Sequence, residues 1–389
     1  MKRKTTRRTF LEKGAKAGLV LPFLSSAMLG CNEKSEAPEK EVKDHKLNIL
    51  ILGGTSFLGP HQIAYALGKG HAVSTFTRGK TMPTVHQELF KNVEQLIGDR
   101  ENNLKALENR KWDVVIDNSG RNTEWTKSTA NLLKDNVGIY MYTSSTGVYY
   151  PYLGNNFNEE KEVLLAEPEN PSEEEKLEFW YGVMKAQSEM AARTAFGDDR
   201  TIVVRPTYMV GPADKTNRFI YWPVRLSRGG ETLVPGKEND RVQYVDVRDV
   251  AEWMIRLIEN KNSGTYNAVG PENAQNMYAF VEEAQKAFDV ESNFVKINDY
   301  EFLKENEVHY IVPWIMPEGK NIGSAMIDNR KAISNGLTFR PLLGTMQDTH
   351  RWWYSDALTQ EKRDVFELKE NSILMREKEI IALWKKRNS

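Results

Sequence analysis

Residues 47–52 (Leu-Asn-Ile-Leu-Ile-Leu) form an almost unbroken apolar run that stops at Gly53-Gly54. A run this short, bounded by glycine, predicts a strand covered on both faces; a half-exposed strand would alternate apolar and polar residues. Similar runs return at residues 72–76, 93–97, 112–117, 139–143 and 201–205. Stretches of helical character lie between them, among them residues 59–67, 123–134 and 181–196. Strands alternating with helices predict an α/β fold: a parallel sheet with helices on both faces. Beyond Pro206 the alternation loosens into loops and mixed elements, which suits a smaller lobe. The chain ends in a charged stretch, residues 361–387. Its apolar positions Phe366, Leu374, Ile380 and Leu383 predict a helix packed on the outside. The expected division is residues 47–206 for the sheet domain and 207–389 for a discontinuous lobe with the C-terminal helix.

The first 46 residues break this pattern. Residues 1–13 are basic and include Thr6-Arg7-Arg8-Thr9-Phe10-Leu11-Glu12-Lys13, and a mildly apolar stretch then ends at Cys31. This resembles a twin-arginine export signal over residues 1–31 and implies passage through twin-arginine export machinery. Met28-Leu29-Gly30-Cys31 resembles a bacterial lipoprotein box that would place a lipid on Cys31, although Met28 and Leu29 depart from its usual residues. Cleavage after Ser25-Ser26-Ala27 is the competing reading. Residues 32–46, rich in Glu, Lys and Pro, read as a polar tether. The expected location is therefore the bacterial periplasm, or a membrane surface through a lipid anchor.

Charge and composition narrow the function classes. Of 389 residues 28% are charged, yet the formal net charge is only -1. That balance gives no electrostatic case for a nucleic-acid partner. Cys31 is the only cysteine, and the six histidines show no paired spacing. Neither a disulfide framework nor a metal site is expected. No apolar run reaches about 18 residues, so no spanning helix is expected within the fold.

Three segments carry the chemistry, in this order. Gly53-Gly54-Thr55-Ser56-Phe57-Leu58-Gly59 links the first strand to a helix. A glycine turn there leaves backbone N–H groups and the helix dipole facing an anion such as a dinucleotide pyrophosphate. Thr143-Ser144-Ser145 follows the fifth strand, and Tyr181-Gly182-Val183-Met184-Lys185 opens a helix. Tyr181 and Lys185, four apart, project from one helix face. An ammonium beside a phenol favours the phenolate, which is the requirement for a proton acceptor at working pH.

With these motifs in order, the chain resembles the extended short-chain dehydrogenase/reductase superfamily, in its NAD-dependent epimerase/dehydratase group. Further matches are Gly98-Asp99-Arg100, Val204-Arg205-Pro206 and Val245-Asp246-Val247-Arg248-Asp249. The resemblance implies a Rossmann-type doubly wound parallel sheet with a smaller C-terminal substrate-binding lobe. It implies that Tyr181 is the acid/base, that Lys185 also holds the nicotinamide ribose, and that Ser145 bonds the substrate oxygen, with Ser144 or Thr146 as alternatives. The cofactor would be held by Gly53, Thr55, Ser56, Phe57, Leu58, Gly59, Asp99, Asn118 and Ser119, besides Tyr181 and Lys185. Ser56 replaces the superfamily's middle glycine. Arg78 stands where NAD-preferring members place a carboxylate. An arginine there would pair with a 2′-phosphate, so the reading leans slightly to NADP over NAD, although stacking on adenine suits either. Thr146, Tyr208 and Arg241 are the candidates for substrate contact, with Trp222 as a weaker one. Asp246 and Asp249 read as structural.

Export constrains the reaction. No free nicotinamide pool exists outside the cytoplasm, so the expectation is a tightly held cofactor with hydride leaving and returning within one cycle on a sugar, glycoside or polyol. The alternatives are a conventional NADP-dependent reductase of a small carbonyl compound and a non-catalytic dinucleotide- or RNA-binding member. A homodimer is an expectation from the superfamily.

Overall fold

The computed structural model describes residues 46–118 and 120–389. The twin-arginine motif, Cys31 and Ser119 lie outside the described residues.

The strands in chain order are β1 (Asn48–Leu52), β2 (Ala72–Thr77), β3 (Glu94–Ile97), β4 (Trp112–Asp117), β5 (Val137–Thr143), β6 (Thr201–Pro206), β7 (Met209–Val210), β8 (Gly230–Pro235), β9 (Arg241–Asp246), β10 (Gly264–Ala268), β11 (Gly270–Asn276), β12 (Ser292–Ile297), β13 (Tyr310–Ile311) and β14 (Trp314–Ile315). Seven of them form one sheet in the order β10-β6-β5-β4-β1-β2-β3. All of its pairings are parallel. The order reverses at β1/β4, where a doubly wound sheet opens its ligand crevice at the carboxyl ends of the strands. The seventh strand, β10, comes from beyond residue 206, so the later chain supplies both sheet and lobe.

The unbroken apolar runs follow from the two covered faces. Ile49 and Ile51 point to one side, packing with Ile63, Met141 and Trp253 under the helices Leu58–Gly68 and Val247–Glu259. Leu50 and Leu52 point to the other, packing with Val115, Tyr140, Tyr142 and Phe196 under the helices Thr123–Leu133 and Glu173–Phe196. The lobe has its own core, built around Trp222, Phe280, Trp314 and Trp353. It contains the three-stranded β11-β9-β7 and the parallel pair β12-β8.

Two helices differ from expectation. The helix read from residue 181 begins at Glu173, where Ser172 and Glu175 form a capping box and Glu173, Glu174 and Glu175 fill the first turn. Acids at a helix N-terminus complement its dipole, so Glu173, Glu174 and Glu175 start the helix upstream of Tyr181. The C-terminal stretch is two helices, Gln360–Glu367 and Ile373–Arg387, the second capped by Ser372. In the latter Leu374 and Ile380 are buried, whereas Leu383 faces solvent. No helix among the described residues is long and apolar enough to cross a membrane.

Candidate active site

The glycine turn is shaped by what cannot fit in it. Gly53 and Gly54 take φ of 95° and 135°, backbone that L side chains rarely adopt. A Cβ on Gly54 would lie 2.6 Å from Thr75 Cγ2, and one on Gly59 would lie 2.5 Å from the Gly54 backbone. The helix Leu58–Gly68 is thereby drawn against the turn. Its N-terminus has no side-chain cap and no acid in its first turn, and Phe57 precedes it with φ of 46°. Leu58 is buried and Ser56 exposed. An uncapped helix end beside a cradle without side chains fits a dinucleotide pyrophosphate. Thr55, half-buried, and Ser56 lie on the same turn. Arg78, at the end of β2, is exposed.

The neighbouring candidates divide. Asn118, ending β4, donates from Nδ2 to Gln62 Oε1 at 2.6 Å and accepts at Oδ1 from the Thr143 hydroxyl at 2.7 Å. Its side chain joins the first helix to β5. Asp99 accepts from the Glu101 N–H at 3.0 Å, and its backbone pairs with Asn103. One carboxylate oxygen thus serves its own turn. Arg100 and Asp117 form a buried ion pair that Thr129 and Tyr140 complete. Burial opposes the charge on Asp117, but Arg100 and the Tyr140 hydroxyl hold its carboxyl below the usual range.

Ser145 caps a short 3-10 turn, Thr146–Tyr149, and its Oγ accepts from the Gly147 N–H at 3.0 Å. Gly147 and Gly182 permit close contact between this turn and the helix Glu173–Phe196: a Cβ on Gly182 would lie 2.6 Å from Gly147 O. The Tyr181 ring then lies over Gly147. A Cβ on that residue would sit 3.0 Å from the ring and 3.3 Å from Ser145 Oγ. Ser145 and Tyr181 therefore border one spot. Lys185 Nζ is 5.9 Å from the centre of the Tyr181 ring and donates to Thr143 O at 2.9 Å. Burial works against its charge, but Tyr142, Tyr181 and Asp117 outweigh it and hold the ammonium above its ordinary pKa.

The other hydroxyls point elsewhere. Ser144 donates to the buried Glu189 carboxylate, which Arg205 grips through Nε at 2.9 Å and Nη2 at 2.6 Å. Arg205 also donates to the Tyr149 hydroxyl at 2.9 Å. Thr146 is buried, with Oγ1 3.4 Å from Pro206 O. Asp246 and Asp249 are engaged by Arg248 and Arg340.

On the lobe side, burial, with Arg218 opposing and Glu178 adding, pushes the Tyr208 phenol up to about 12. Trp222 is fully buried, donating to Val312 O at 2.9 Å. Arg241 borders a separate groove of about 560 Å³ with Asn155, Glu272, Asp328 and Arg330. None of Ser145, Tyr181, Lys185 and Tyr208 lines it. Three residues that act electrostatically around Tyr208 went unread in the sequence: half-buried Tyr152 and the exposed Glu178 and Arg218. Glu178 lay hidden in an acidic run, although the Ser172/Glu175 capping pattern gave a signal that the helix starts before it. Although Glu178 is exposed to solvent, the protein packed around it partly desolvates its carboxyl and raises it, with Arg218 opposing. Among the described residues no cluster of His, Cys, Asp and Glu is placed to hold a metal ion.

Known proteins share this architecture. The dTDP-glucose 4,6-dehydratase of Bacillus anthracis, solved with NAD, superposes with a TM-score of 0.57 at 17% identity, covering 81% of this chain and 98% of that one. The UDP-glucose 4-epimerase of Bifidobacterium longum, solved with NAD+ and UDP, gives 0.57 and 17%, covering 79% and 98%. At such identity the likeness is one of fold. The Arabidopsis thaliana protein named chloroplast stem-loop binding protein of 41 kDa b is 27% identical over 227 residues, covering 55% of this chain and 56% of the plant protein. The chain thus spans about half the length of that curated relative. The sequence model of the NAD dependent epimerase/dehydratase family matches residues 49–269, more than half of the chain, and the protein belongs to that family.

Proposed function

We propose that this protein is a dinucleotide-dependent enzyme of the epimerase/dehydratase type, acting on a hydroxyl or carbonyl of a sugar or polyol with Tyr181 as proton acceptor and donor. The observation that carries the reading is the meeting of Ser145 Oγ and the Tyr181 ring at Gly147, with Lys185 beside that ring. Ser145 would bond the substrate oxygen as charge develops on it, and Tyr181 would take or return the hydroxyl proton. Lys185, fixed by Thr143 O, would favour the phenolate. A bound nicotinamide would supply the hydride acceptor and donor. NAD is the cofactor in the two solved neighbours, which favours NAD and outweighs the slight lean to NADP from Arg78. If the N-terminal segment is an export signal, the dinucleotide travels with the folded protein and stays bound through each cycle. A conventional reductase of a small carbonyl compound would instead exchange it.

The plant relative's name raises RNA binding as a second reading. A net charge of -1 gives that reading no electrostatic footprint. Gel-filtered protein, denatured and assayed by mass spectrometry for released dinucleotide, tests the proposal. Stoichiometric NAD is the expected result. Empty protein that retains a stem-loop RNA through a salt wash would replace the proposal with the second reading, and empty protein that takes up dinucleotide only weakly would favour the reductase.

A further inference from the structure

The segment 78–86 links β2 to a 3-10 turn, Gln87–Asn92. It leaves the sheet beside the glycine turn, since the Gly53 N–H donates to Phe76 O at 3.0 Å. It ends on the helix that follows that turn: His86 Nε2 lies 3.2 Å from His61 Nδ1, with the two rings edge to face. The carboxyl end of the second strand is where such folds hold the adenosine ribose, so the segment borders the adenosine side of the pyrophosphate cradle. Its middle is fixed to the lobe. Trp352, buried on the helix Leu342–Trp353, donates from Nε1 to Thr84 Oγ1 at 3.2 Å. Val85 packs against the lobe core, and Phe57, in the glycine turn, packs against both the lobe core and the sheet core. On the other side of the His61 ring, Nε2 lies 3.2 Å from Pro212 O, in the loop after β7. Gln87 donates to Pro83 O at 2.8 Å and Pro83 is buried, so the bend is also held from within. All these contacts are made by the chain's own residues and need no ligand to form. A cradle tied across to the lobe admits or releases a long ligand only when the ties part, and the cost of parting slows both directions alike.

We infer, with a dinucleotide at the glycine turn as the proposed function requires, that residues 79–86 form a strap pinned to the lobe by Trp352 and Val85. Opening of the strap sets the rate at which the dinucleotide enters and leaves, whatever the role of Tyr181. The test follows NAD in the full chain. Exit is read by exchanging bound NAD against an excess of deuterium-labelled NAD, with mass spectrometry of the dinucleotide retained after gel filtration. Equilibrium dialysis gives the affinity, and the two together give the entry rate. Trp352→Phe keeps an aromatic ring and loses the donor; Thr84→Val keeps the shape and loses the acceptor. Each speeds exit about tenfold and leaves the affinity within about twofold, so entry rises with exit. The double variant is no faster than the faster single one, because both break the same bond. Exit unmoved by either substitution would overturn the strap. So would faster exit matched by an equal loss of affinity, which would make the segment part of the binding surface and not a gate. Stoichiometric NAD with exchange unmoved sinks the strap alone, whereas protein that neither carries nor takes up dinucleotide sinks the proposed function and the strap with it. The melting temperature of each variant, measured in the same samples, shows that it is folded.

Discussion

The carboxyl ends of the strands and the cleft beneath the lobe treat charge in opposite ways. At the sheet, buried charges are closed into networks: Arg100 with Asp117, Thr129 and Tyr140, and Arg205 with Glu189, Ser144 and Tyr149. Beyond the sheet, Glu178 and Arg218 are exposed to solvent, and among the described residues neither is in an ion pair. Buried charges must be paired to be tolerated, whereas charges at an opening can be left for a ligand to pair. The contrast separates residues that hold the site together from residues at its surface, and each can be attacked by substitution.

The largest effect should fall on Tyr181. Tyr181→Phe removes one hydroxyl from a half-buried ring whose packing on Gly147 remains. The rate at which substrate reduces the bound dinucleotide in a single turnover, followed by its near-ultraviolet absorbance, should fall by about 10³-fold or more, with dinucleotide content and melting temperature unchanged. A loss of dinucleotide along with turnover would mean that Tyr181 holds the cofactor rather than moving a proton. The opposite pattern is expected at Arg205→Met, which strands the buried Glu189. Stability to urea should drop by about 3–5 kcal/mol, and the double variant Arg205→Met/Glu189→Leu should recover much of it. If the single variant unfolds like the parent, the sheet-side network is not what keeps Ser144 and the Ser145 turn in place.

The same contrast explains what could be read from the sequence. The sheet and the dinucleotide turn were legible because each depends on neighbours in the chain: apolar runs for a doubly covered sheet, glycines for a turn that a Cβ would block, Tyr181 and Lys185 one helical turn apart. Roles that depend on a distant partner were not. Ser144 and Ser145 are equivalent as sequence, and only Glu189, 45 residues later, takes the first. Asn118 reads as a cofactor contact, but its amide is used by Gln62 and Thr143. Arg241 reads as a substrate contact, yet it borders another groove. The cleft was the least legible part, because Tyr152, Glu178, Tyr208 and Arg218 come from separate segments and none lies in a motif.

A pH effect comes next in size, at the junction of the two regions. His61, in the first turn of the helix Leu58–Gly68, is buried, with Nδ1 3.2 Å from His86 Nε2 and Nε2 3.2 Å from Pro212 O. Burial lowers its pKa to about 4; Pro212 O and Asp246 oppose the shift, while His86 and Arg248 add to it. An imidazole with a depressed folded pKa is neutral in both states above about 6.5, so it costs nothing there. As pH falls below that value the unfolded chain takes the proton first. Stability is therefore lost between about pH 6.5 and pH 4, by up to about 3 kcal/mol. His61→Gln, which can still donate to Pro212 O, should flatten that part of a stability-against-pH curve. An unchanged slope would assign the acid sensitivity to other groups.

The smallest effect tests the edge of the dinucleotide site. Arg78 is exposed, so solvent screens whatever it pairs with, and a surface contact to a 2′-phosphate is worth less than a buried one. Arg78→Ala should weaken NADP binding by about tenfold, near 1.4 kcal/mol, and NAD binding by less than about twofold. Raising the salt concentration should shrink the NADP effect and leave the NAD effect as it was. Equal losses for both dinucleotides, insensitive to salt, would mean that Arg78 stacks on the adenine they share, and its position would then carry no information about the 2′-phosphate. The outcome separates a charge that selects its ligand from one that only adds surface contact.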